Sequence, residues 1–80
     1  MAVYIEIKKI KKELDSVVYS FELVDGRSGK FTINEKTGNT ELIKPLPDDD
    51  GSLFARASHK IKKSWEQDRE NLPDKTCWAS

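Results

Sequence analysis

The sequence predicts an α+β fold: a four-stranded antiparallel meander followed by one C-terminal helix packed on one face. Three observations carry this expectation. Apolar and polar residues alternate in successive stretches of the first 44 positions, the period of a half-buried strand. From Ser52 onward the apolar residues recur at steps of three and four, the period of an amphipathic helix. The two periods come in separate blocks on either side of Pro45-Leu46-Pro47, which argues for segregated strands and helix rather than alternating βαβ units.

The elements follow in order. Val3, Ile5 and Ile7 alternate with Tyr4, Glu6 and Lys8 as a first strand, and Lys11-Lys12-Glu13 reads as a polar break. Val17, Tyr19, Phe21 and Leu23 alternate with Val18, Ser20, Glu22 and Val24 as a second strand, whose mixed pattern suits a central position. Asp25-Gly26-Arg27-Ser28-Gly29 is a turn, since glycine permits positive φ. Phe31 and Ile33 mark a third strand, and Glu35 to Asn39 a type I turn closed by Gly38 in the left-handed region. Thr40 to Lys44 forms a short fourth strand with Leu42 inward, ended by the prolines. Asp48-Asp49-Asp50-Gly51-Ser52 starts the helix, because short polar acceptors cap free N–H groups and negative charge suits the positive end of the dipole. Phe54, Ala57, Ile61 and Trp65 give it an apolar face, and Asn71-Leu72-Pro73 stops it. The expected boundaries are one domain over residues 1–80, with a sheet over about 2–44, a helix over about 52–70 and a tail over 71–80. Phe21, Phe31, Phe54 and Trp65 are expected to build most of the core.

Composition excludes several classes of function. A chain of 80 residues fills one small domain. Apolar residues are 36% and charged residues 35%, with 14 basic against 14 acidic side chains. That balance removes the global electrostatic argument for nucleic acid but leaves local patches open. No apolar run approaches the ~18 residues of a membrane span and no signal-peptide pattern opens the chain, so a soluble, cytoplasmic protein is expected. Cys77 is the only cysteine and can form neither an internal disulfide nor a multi-cysteine metal site.

The candidates for chemistry are sparse. His59, the lone histidine, could act as a base only if the tail folded Cys77 back to it; an exposed helix histidine is the plainer reading. Asp48-Asp49-Asp50 lacks the alternating spacing by which calcium loops converge their oxygens, and reads as a solvated, capping turn. No G-x-S-x-G, H-E-x-x-H or phosphate-binding glycine loop is present, so neither a catalytic residue, a metal nor a cofactor is assigned. Two basic clusters stand out: Lys8, Lys9, Lys11 and Lys12 at the end of the first strand, and Arg56, Lys60 and Lys63 along one stripe of the helix. Placed side by side they would suit a phosphate backbone, with Tyr4 and Tyr19 to stack bases. Thr76-Cys77-Trp78-Ala79-Ser80 is an aromatic tail where chains are usually polar. Trp78 either returns to cover the sheet edge or serves as an exposed anchor for a partner.

Phe31-Thr32-Ile33-Asn34-Glu35-Lys36-Thr37-Gly38, with Lys44-Pro45-Leu46, resembles the strand–turn–strand of cadherin repeats, F-x-I-D-x-x-T-G followed by K-P-L. The resemblance covers about 16 of the residues and implies that hairpin alone. The cadherin calcium-binding D-R-E would fall on Pro47, Asp48 and Asp49, of which only the last keeps an acid in place, and a helix is expected where cadherin strands continue. Thr37-Gly38, Leu46-Pro47, Phe54, Arg56-Ala57, Lys60, Trp65, Leu72-Pro73 and the Thr76 to Ser80 tail are together similar to a family of short uncharacterised bacterial proteins. That resemblance implies a bacterial, cytoplasmic, stand-alone small protein and transfers no catalytic residue.

The leading expectation is a non-enzymatic module acting by protein–protein contact, of inhibitor or immunity kind, through Arg56, His59, Lys60, Lys63 and Trp78. A nucleic-acid-binding protein using Lys8, Lys9, Lys11, Lys12, Arg56, Lys60 and Lys63 is the second. The third is a homodimer in which Tyr4, Val18 and Val24 cover the open face of the sheet.

Overall fold

The computed structural model describes residues 4–79. Val3 and Ser80, the outermost expected positions of strand and tail, lie outside the described residues. The chain runs β1 (Tyr4–Lys12), β2 (Ser16–Leu23), β3 (Ser28–Asn34), β4 (Thr40–Lys44), α1 (Ser52–Gln67) and β5 (Lys75–Ala79). The expected α+β class and the antiparallel β1–β4 meander are present. The sheet, however, has five strands, in the order β4-β3-β2-β1-β5, and the helix sits between β4 and β5 rather than ending the chain. The segment expected as a tail is the fifth strand: Thr76 pairs with Ile7 and Trp78 with Ile5, so both lie on the helix-covered face.

Alternation sorts every strand into two faces. Ile5 and Ile7, Val17, Tyr19 and Phe21, and Phe31 and Ile33 are buried beneath α1, with Ala57 and Ile61 above them and Leu46 and Leu72 closing the ends. Phe31 stands at the centre of an aromatic group, with ring centroids 5.8 Å from Tyr19, 5.7 Å from Phe21 and 5.8 Å from Phe54. Phe54 and Trp65 are only partly buried at the rim, so aliphatic strand residues supply more of the core than the four expected rings.

Two bulges interrupt the alternation. Register slips between Lys9 and Lys11 of β1, leaving Ile10 as the extra residue, and between Lys30 and Phe31 against β4, leaving Ile43 as the extra one. The expected break at Lys11-Lys12 is therefore a bulge followed by continued pairing of Lys11 with Val18 and Lys12 with Val17.

Local chemistry sets the helix ends. Gly51 turns into the helix at φ 101°. Asp50 Oδ1 accepts the Ser52 N–H at 3.0 Å and Asp49 Oδ1 the Leu53 N–H at 3.4 Å, so two of the three expected acids serve the free donors. The helix stops at Gln67 rather than near Glu70 because Asp68 is extended, at φ −158°. Its carboxylate instead accepts the Glu70 N–H and the Asn71 side-chain amide, a local alternative to helical pairing.

Candidate functional site

The five residues expected to meet a protein partner divide into one physical unit and one neighbouring stripe. Trp78 of β5 faces the helix layer, half-buried, and the Arg56 guanidinium lies 5.2 Å from its ring centroid. Cation–π stacking of this kind fixes both side chains at the exposed seam between α1 and the edge strand. Lys60 and Lys63 follow Arg56 at helical spacing on the same flank, with His59 beside them on the solvent side. None of Arg56, Lys60, Lys62 and Lys63 has a carboxylate within 4.0 Å among the described residues, whereas Lys8, Lys9, Lys11, Lys12, Arg27, Lys36 and Lys75 all do. The mid-helix cations are thus the solvated charge of this flank. At the start of the helix the Asp50 carboxyl is held below its ordinary range by the Ser52 N–H and hydroxyl, and least strongly by Arg56.

The β1 lysines do not form one patch. Alternation and the bulge send Lys8 and Lys11 to the face away from α1, while Lys9 and Lys12 lie on the helix face, opposite Tyr19 and Val17. Lys9 is committed to structure: its Nζ donates to the Leu72 carbonyl at 3.2 Å and pairs with Asp74 at 3.1 Å. Lys12 pairs with Glu35 at 3.7 Å. Tyr19 has no surface to offer a base, since it is 0% exposed and its hydroxyl donates to the Pro73 carbonyl at 2.7 Å. Burial, with Asp74 and Glu35 nearby, pushes that hydroxyl's pKa well above its ordinary value. Tyr4 is exposed and remains on the open face.

The histidine and the cysteine are on opposite sides of the sheet. His59 is on α1, whereas Cys77 pairs with Glu6 in the row facing away from it. The sheet itself prevents a His59–Cys77 pair. Among the described residues no three His, Cys, Asp or Glu side chains gather as a metal-binding group.

The open face bears the residues expected to cover a homodimer seam. Val18 is 4% exposed although it faces away from the core, because the bulges bring Ile10 and Ile43 alongside it. These three, with Lys11, Glu13 and Lys30, line a shallow hollow. Tyr4 and Val24 line a second, with Glu6 and Glu22. The sequence marks neither bulged isoleucine: Ile10 among lysines and Ile43 beside Leu42 carry no sign of which face they join.

Comparison with known proteins finds no matching family model, no matching curated sequence and no matching solved structure.

Proposed function

We propose that this chain is a non-enzymatic binding module of inhibitor or immunity kind, which docks an acidic protein surface along the seam of α1 and β5. The observation that carries the reading is the Arg56–Trp78 stack, 5.2 Å from guanidinium to ring, beside helix cations that have no carboxylate partner among the described residues. Arginine and tryptophan are enriched at interface centres, where a preformed stack loses little side-chain freedom on docking. Unpaired lysines around it steer an acidic partner and tune the rate of encounter. A bacterial, cytoplasmic setting belongs to the same proposal, on the resemblance of the Thr76 to Ser80 tail.

A tagged pull-down from native lysate, with and without nuclease and at two salt concentrations, tests it. The expected result is one stoichiometric protein that survives nuclease and is lost from the Arg56→Glu/Lys60→Glu variant. A folded double reversal that retains every recovered partner would overturn the proposal.

A further inference from the structure

The strand register sets four lysines in one line on the face opposite the proposed docking seam. Lys75 of β5 pairs with Lys8 of β1, Lys8 with Ser20 of β2, Ser20 with Lys30 of β3, and Lys30 with Lys44 of β4. The row crosses the whole sheet, four inter-strand steps of ~4.8 Å, or about 19 Å in all. All four lysines are exposed.

Two of these pairings set like charges directly opposite one another, which destabilises a sheet. The fold answers this only at one end. Glu6 reaches Lys8 at 3.1 Å and Lys75 at 3.3 Å, and the two ammonium groups hold its carboxyl below the usual range. Lys30 and Lys44 have no carboxylate within 4.0 Å among the described residues. Four positive charges in line therefore meet one internal negative charge, and no helix or loop of the described chain covers them.

We infer that the open face binds single-stranded nucleic acid, with the phosphate backbone lying along the Lys75–Lys8–Lys30–Lys44 row. The shape of the charge selects this polyanion. The row is one residue wide and bordered by Glu6 and Glu22, which pair with each other one row away. A planar anionic surface such as a lipid bilayer would press against both carboxylates, while a single strand that follows the lysines passes clear of Glu22 and meets Glu6 alone, competing with it for Lys8 and Lys75. A second copy stacked row to row would oppose lysine to lysine. Tyr4, 46% exposed at the border of the face, supplies a ring on which a base can stack.

The test is fluorescence anisotropy with a labelled oligothymidylate of twelve nucleotides, titrated at salt concentrations from 20 to 200 mM. Four phosphate contacts predict a slope of log K against log salt of about −2.8 for a single strand. The Lys30→Glu/Lys44→Glu variant is expected to lose about tenfold or more in affinity at the lowest salt, and to flatten the slope by about 1.4. Lys62→Glu, on the helix side, is expected to leave both unchanged. Circular dichroism confirms that each variant keeps its fold. No anisotropy change at the lowest salt would overturn the inference. So would equal weakening by Lys62→Glu, or binding to phosphatidylserine vesicles without binding to the oligonucleotide. None of these readouts involves the Arg56–Trp78 seam, so the two proposals stand or fall separately.

Discussion

Gly38→Ala is expected to destabilise the protein by about 2–5 kcal/mol, the sum of a backbone cost and an overpacking cost. Gly38 holds φ +77°, and an L-residue in the left-handed region costs about 1–2 kcal/mol. The second cost comes from Trp65. A Cβ at position 38 would lie 2.7, 2.8 and 3.0 Å from three carbons of the indole ring. Carbon pairs rest at about 3.5–4.0 Å, so the ring would have to withdraw by roughly 0.8 Å. It is held in place by Nε1, which donates to the Glu35 carbonyl at 2.7 Å. Overpacking against a fixed group costs about 1–3 kcal/mol. Gly26→Ala is the control, because Gly26 has φ +94° but nothing within 4 Å of the added carbon. It should show the backbone cost alone. Urea denaturation followed by circular dichroism gives both values from the midpoints at constant m. The gap between the two variants should also vanish in a Trp65→Ala background, as a double-mutant cycle requires of a direct contact. Equal losses for Gly38→Ala and Gly26→Ala in the parent protein would refute the claim that the indole is fixed against the turn.

Three further outcomes are expected. Tyr19→Phe should cost about 1–3 kcal/mol, because it leaves the Pro73 carbonyl without its donor. Tyr19's folded pKa lies above the unfolded value, so its contribution is complete below about pH 10 and declines as pH rises further; the alkaline fall in urea midpoint should be shallower in Tyr19→Phe, and an identical fall would show that Tyr19 does not cause it. Removing Arg56 and Trp78 singly and together should reveal a coupling of about 0.5–1 kcal/mol, against strict additivity if the stack contributes nothing. Asp50→Ala should lower the melting temperature at pH 7 through loss of the acceptor for the Ser52 N–H. Because Asp50's folded pKa is depressed, that stabilisation is present above about pH 4 and is lost as pH falls, so the gap from the parent should narrow at pH 3 and not widen.

The elements with long, clean periods were legible in the sequence. β1 to β3 follow from alternation, β4 from its place between the Gly38 turn and Pro45, and the helix start from Asp49 and Asp50 ahead of an apolar stripe. β5 was not, because Lys75 to Ala79 offers only two inward residues, Thr76 and Trp78, too few to establish a period. Its place depends on the unpaired edge of β1, a tertiary fact that no five-residue window contains. The same reason hid the lysine row. Lys8, Lys30, Lys44 and Lys75 are scattered through the chain, and only registers shifted by two bulges bring them into line. By contrast Lys8 to Lys12, conspicuous as a run, is divided between faces by the alternation that makes it a strand. Arg56 and Trp78 could each be named as candidates; their stacking required the fifth strand.

Placing β5 against β1 makes the order of synthesis matter. Domains generally form from the N-terminus as the chain emerges, and the β1–β4 meander can pair from local contacts alone. The outer edge of β1 has to wait for residues at the far end of the chain; Lys9 and Leu72, which meet through a hydrogen bond, are 63 positions apart. During that interval the strand presents unpaired N–H and C=O groups, the template on which foreign strands add. Lys8 and Lys9 point to opposite faces of that edge, so each side of the waiting strand carries a charge that repels a second copy. The lysines of β1 thus guard a nascent edge before they become part of a finished sheet, and a ribosome-stalled or clipped chain lacking Lys75 to Ala79 would depend on them alone to stay unaggregated.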